Sequence, residues 1–77
     1  MRHNPIKAFF EYGYLDGEDI DYLEEKGIEI EIWHTNEDYE QRICLSDLNN
    51  KQKEEVKVFV TGRNQKYVDE FDYVIFY

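Results

Sequence analysis

Carboxylates are the side chains whose number and spacing could do chemistry in this chain. Twelve of them, Glu11, Asp16, Glu18, Asp19, Asp21, Glu24, Glu25, Glu29, Glu31, Glu37, Asp38 and Glu40, fall within thirty residues against the single cation Lys26. From Gln41 to Tyr77 six acidic and six basic residues cancel, so the formal charge of −9 is polarised toward one half of the chain. Individual carboxylates commonly serve as solvated surface. Like charge concentrated in one small domain also costs stability through self-repulsion, which a marginal fold can ill tolerate. Such a field attracts guanidinium and ammonium groups, with which carboxylates form charge-assisted hydrogen bonds. It repels phosphate, which argues against nucleic acid or an anionic membrane as a direct ligand.

Other chemistry finds little support. His3, His34 and the lone Cys44 do not have the spacing of a structural zinc site. The run from Asp16 to Asp21 superficially resembles a calcium loop, but an EF-hand needs glycine at its sixth place, where Asp21 stands. Paired carboxylates act as general acid and base only in a pocket that separates their pKa values, and a 77-residue domain rarely encloses one. There is no glycine-rich phosphate loop and no nucleophile elbow. No catalytic residue, metal ligand or cofactor site is therefore expected. With one cysteine, no internal disulfide, and no apolar run resembling a signal or a membrane span, a soluble cytoplasmic protein is expected.

The elements that must position these carboxylates follow from periodicity. Seventy-seven residues with 42% apolar and 17% aromatic side chains can fill one core and not two, so a single domain over residues 1–77 is expected. Ile6 to Tyr14 alternate as a strand. Asp16, with Asp19 three residues on, caps a helix over 17–26, and Gly27 follows as a left-handed stop. Ile28, Ile30 and Ile32 alternate with Glu29, Glu31 and Trp33, the clearest period-two signal in the chain. The polar turn Thr35-Asn36-Glu37-Asp38 then leads into a strand from Tyr39 to Leu45, completing a hairpin. Ser46 or Asp47 is read as the cap of a second helix over 47–61, with a strand over 56–61 as the rival because Val56 to Thr61 is rich in β-branched residues. Phe71 to Tyr77 is a mostly apolar run suited to a central strand.

The order βαββαβ predicts an α+β, two-layer sandwich: a ferredoxin-like antiparallel sheet with two helices on one face and the other face open. If Ile28, Ile30 and Ile32 face the helices, Glu29 and Glu31 emerge on the open face, joined by Glu11, Glu40 and Asp72. The same parity places Phe9, Trp33 and Phe76 among them. Carboxylates interleaved with large aromatics suit a protein partner rich in Arg and Lys. Asp16, Glu18, Asp19, Asp21, Glu24 and Glu25 form a second acidic ridge along the first helix. RNA-recognition modules share the expected topology and use an aromatic sheet face, but the strand Tyr39 to Leu45 lacks their basic, glycine and aromatic pattern.

These residues point to an acidic decoy that occludes the basic nucleic-acid groove of an enzyme, with carboxylates where phosphates would lie and Trp33 and Phe9 as anchors. In size and charge the chain is similar to the small acidic proteins that phages and plasmids use against CRISPR or restriction systems (anti-CRISPR and anti-restriction inhibitors), and to immunity proteins that neutralise nuclease toxins. That similarity rests on general character, and no motif carries a residue's role across. The rival expectation is a structural subunit or homodimer whose open face is covered and whose acidity serves solubility.

Overall fold

The computed structural model describes residues 7–10, 13–63 and 71–77, with positions 9 and 10 described by backbone alone. The chain forms a small α+β fold in which a four-stranded mixed sheet carries two helices. Its elements are β1 (Lys7–Phe10), α1 (Gly17–Glu25), β2 (Glu31–His34), β3 (Tyr39–Cys44), a 3-10 turn at Leu45–Asp47, α2 (Asn50–Gly62) and β4 (Tyr73–Phe76). No described helix is long and apolar enough to cross a membrane.

The sheet order is β1-β4-β3-β2, with β1 and β4 parallel and the other two pairs antiparallel. This departs from the fully antiparallel ferredoxin-like sheet expected from element order, in which β1 would be interior and β4 an edge. The composition of β4 accounts for the exchange. Val74, Ile75 and Phe76 are all buried, so apolar side chains leave both faces of this strand and require neighbours on either side. β1, whose Lys7 is exposed, takes the edge.

Ala8, Ile43, Val74 and Phe76 share one sheet face in register and form the core with Leu15, Leu23, Ile28, Leu45, Val56 and Val60. Both helices therefore cover this face. Phe76, expected on the open face, is instead 1% exposed beneath α2, its ring edge-on to Phe59 at 6.3 Å. Parity carried across a loop cannot fix which face a new strand presents, because one residue of slip inverts it.

Local chemistry sets the helix ends. Asp16 caps α1: its side chain accepts from Asp19 N–H at 2.9 Å, while the Asp19 side chain accepts from the Asp16 N–H at 3.4 Å. At the other end Gly27, at φ +80°, closes a Schellman motif: Gly27 N–H donates to the Glu24 carbonyl and Ile28 N–H to the Leu23 carbonyl. Ile28 thus belongs to the helix cap and packs into the core, rather than starting the strand, and β2 shortens to Glu31–His34. Residues 56–61 are helical. Asn49, not Ser46 or Asp47, caps α2, in a reciprocal box with Gln52. The Gln52 amide also donates to the carbonyls of Lys26 and Gly27 at 3.0 and 3.3 Å, joining the end of α1 to the start of α2.

Candidate functional site

The acidic residues of α1 divide into two groups. Asp16 and Asp19 are structural: besides their reciprocal cap, Asp19 Oδ2 pairs with Arg63 Nη1 at 3.0 Å. The Arg63 guanidinium also lies over the rings of Phe59 and Phe76, at 5.4 and 5.9 Å, so it ties the end of α2 to the start of α1. Glu18, Asp21, Glu24 and Glu25 are exposed and form no ion pair among the described residues. Nearby, Lys26 lies over the Tyr22 ring at 5.3 Å, and the Tyr22 hydroxyl donates to Glu55 on α2 at 3.1 Å. Glu18, Asp21 and Glu25 lie on the side of the helix opposite buried Leu23, and Glu24 on its flank. Helical rise spreads them over about 10.5 Å of axis, in steps of about 4.5, 4.5 and 1.5 Å.

The start of α1 is held by a residue the sequence reading passed over. Gln41, 4% exposed on β3, accepts from the Leu15 N–H and donates to the Leu15 carbonyl, at 2.5 and 3.2 Å. Beside it the Tyr14 ring stacks on Tyr39, centroids 4.6 Å apart, and the Tyr14 hydroxyl donates to the Tyr39 carbonyl. Burial, reinforced by Asp38, raises the Tyr14 phenol above its ordinary range. A lone polar residue at a core-parity position was the available sequence signal for Gln41, since such a side chain must find partners.

On the face opposite the helices, side chains are largely paired with one another. Glu31 Oε1 accepts from the Trp33 indole at 2.9 Å. Arg42 places its guanidinium carbon 4.5 Å from the centre of the Trp33 ring and gives Nε and Nη2 to Glu40 Oε1 at 3.0 and 2.6 Å. Glu31 and Glu40 therefore do not stand as isolated charges, although Trp33 remains 45% exposed. The Glu40-x-Arg42 spacing was the sequence sign of this pairing, because residues two apart in a strand share a face. Cys44 Sγ lies 3.1 Å from Ser46 Oγ. The Tyr73 phenol is raised chiefly by that neighbouring thiol, with burial and Glu31 adding and Arg42 opposing.

The remaining expected site residues are scattered. Glu29 is exposed between α1 and β2, in a shallow depression of about 120 Å³ shared with Glu31, Cys44 and Asp47. Asp72 is half-buried just before β4, where its carbonyl accepts from Leu45 N–H. Glu11 lies outside the described residues, as does the side chain of Phe9, whose backbone pairs with Ile75. Among the described residues no three His, Cys, Asp or Glu side chains are disposed to hold a metal ion. No protein-family model, curated protein or solved structure matches the chain, so its function has to be argued from these surfaces.

Proposed function

We propose that this protein is a stoichiometric inhibitor that binds a basic partner, a nucleic-acid-processing enzyme, by presenting carboxylates where phosphates would lie. The observation that carries this reading is the row Glu18, Asp21, Glu24 and Glu25 on α1, exposed and without ion pairs among the described residues. The C-terminal part of the row is locally unfavourable, whereas Glu18, in the first turn, meets the favourable end of the helix dipole. Glu24 and Glu25 occupy the last turn, where the helix dipole favours cations and where α1 has none, and each misplaced charge costs about 0.3–1 kcal/mol. Like charges at i,i+3 and i,i+4, such as Asp21 with Glu24 and Glu25, cost roughly 0.2–0.5 kcal/mol more per pair. A domain this small keeps such an arrangement at the expense of stability, which a role for the field explains. Long-range attraction then accelerates encounter with a basic groove by roughly 10 to 10³-fold at low salt.

The test is affinity capture from the lysate of the source cells, quantified by mass spectrometry, at salt rising from about 50 to 200 mM and with duplex DNA as competitor. The expected result is one nucleic-acid-processing enzyme, released by salt and by DNA. It is lost from a variant carrying Glu18→Gln, Asp21→Asn, Glu24→Gln and Glu25→Gln, whose helix content by circular dichroism matches the parent. A partner that resists salt and DNA, or capture unaffected by the four substitutions, refutes the reading. The exposure of Ile32 and Trp33 favours one alternative, a homodimer or subunit in which they are covered. That alternative requires a salt-resistant assembly that Trp33→Ala abolishes.

A further inference from the structure

β2 is an outer strand of the sheet, with β3 its hydrogen-bonded neighbour. The alternation of an antiparallel ladder sorts its backbone groups. Thr35 N–H donates to the Asp38 carbonyl at 2.8 Å, and the register runs back through His34 with Tyr39, Trp33 with Glu40, Ile32 with Gln41 and Glu31 with Arg42. Counting from the bonded Thr35 and Asp38 pair, Trp33 and Glu31 bond to β3, whereas the N–H and C=O groups of Ile32 and His34 face away from β3, where no described strand pairs with them. The side chains along this edge are open as well, Ile32 at 50% and Trp33 at 45% exposure, on opposite faces of the sheet. Proteins commonly blunt an edge with proline, lysine, a bulge, a charge or a very short strand. Glu31–His34 has no proline, lysine or bulge, and only its four-residue length and Glu31 limit pairing there.

The surrounding charge selects the occupant. Glu29, Glu37 and Asp38 are exposed on either side of β2 and form no ion pair among the described residues, while Arg42, the cation opposite Glu31, is engaged by Glu40 and Trp33. A second copy would bring its own −9 charge and the same carboxylates to this edge. We infer that the β2 edge docks an extended segment of a basic partner protein, added as a fifth strand through the backbone groups of Ile32 and His34. The added strand directs apolar residues to the Ile32 side and Lys or Arg to the Glu31 side, within reach of Glu29 and Glu37. This inference rests on the proposed inhibitory role only for the basic character of the partner, and it uses a surface separate from the α1 row.

The test uses the intact protein and a blocked heptapeptide of alternating arginine and valine, followed by nuclear magnetic resonance. Binding is expected to slow amide exchange at Ile32 and His34 by roughly tenfold or more, as pairing protects edge amides. A peptide with glutamate for arginine, and one methylated on alternate backbone nitrogens, should not bind. Ile32→Pro removes an N–H that β3 does not use, which an edge strand tolerates, and should abolish protection at His34. Ile32→Lys keeps the strand and should weaken the arginine peptide roughly tenfold through charge and lost apolar contact. Unchanged exchange at Ile32 and His34, or shifts confined to α1, overturns the inference. So does edge protection in the protein alone together with a dimer in sedimentation, which would make a second copy the occupant. Captured enzyme that survives Ile32→Lys but not the four α1 substitutions refutes the edge and keeps the inhibitor. Peptide protection without any DNA-displaced partner does the reverse.

Discussion

Replacing Gln41 by leucine removes the two hydrogen bonds that fasten Leu15 to β3, with little change in volume. Leu15 and Gln41 are each 4% exposed, so the orphaned N–H and C=O gain no water in exchange. A buried donor left unpaired costs about 1–3 kcal/mol and the carbonyl somewhat less, against which leucine recovers part through apolar burial; the net loss is about 2–3 kcal/mol. A single core of this size supplies roughly 3–5 kcal/mol in all, so the variant should retain at most about three-fifths of the stability. With a urea slope near 1 kcal/mol/M, the midpoint falls by about 2 M. Gln41→Glu makes the reasoning specific. Its carboxylate can accept from the Leu15 N–H but opposes the Leu15 carbonyl, and protonation restores a donor. Burial and that carbonyl raise the folded-state pKa above the unfolded value near 4.3. The stabilising protonated form is then fully present below the unfolded pKa and lost as pH rises through the folded one. The midpoint gap between Gln41→Glu and the parent should accordingly be small near pH 4 and widen toward pH 8. A gap equal at both pH values, or a leucine variant within about 0.5 kcal/mol of the parent, refutes the claim that these bonds anchor α1.

Further outcomes follow from other contacts. Arg63→Ala removes the Asp19 pair and the guanidinium over Phe59 and Phe76, for a loss of about 1–2 kcal/mol in thermal or urea unfolding; Arg63→Lys should recover only part, since an ammonium lacks the planar fork. Arg42→Ala uncovers the Trp33 ring, so indole emission should shift to the red and acrylamide quenching increase, whereas an unchanged spectrum would mean the stack does not persist in solution. The raised phenols of Tyr14 and Tyr73 stay protonated in the folded chain after the unfolded chain has ionised. Their contribution is intact below about pH 10 and declines above it, so the urea midpoint of the parent should fall more steeply there than that of a Tyr14→Phe, Tyr73→Phe double variant.

What the sequence alone determined is whatever depends on neighbours along the chain. The Asp16 and Asp19 box, the Gly27 stop, the Thr35 to Asp38 turn and the alternation of β3 are short-range patterns whose partners lie within five residues, and each is present. Helix or strand at residues 56–61 was left open by a run rich in β-branched residues, and the burial of Val56 and Val60, one helical turn apart, decided for the helix. Strand order was not legible. The apolar run of β4 pointed to an interior strand, whereas the βαββαβ order suggested a sheet that puts β4 at the edge, and burying Val74, Ile75 and Phe76 on two faces decided between them. Nor could spacing tell which carboxylates are spent. Asp19 and Glu40 look like Glu18 and Glu24 in the sequence; only the fold brings Arg63 from forty-four residues away to Asp19 and sets Arg42 against Trp33 and Glu40. A carboxylate's type is local, but whether its charge is neutralised depends on which cation the chain's long-range contacts bring beside it.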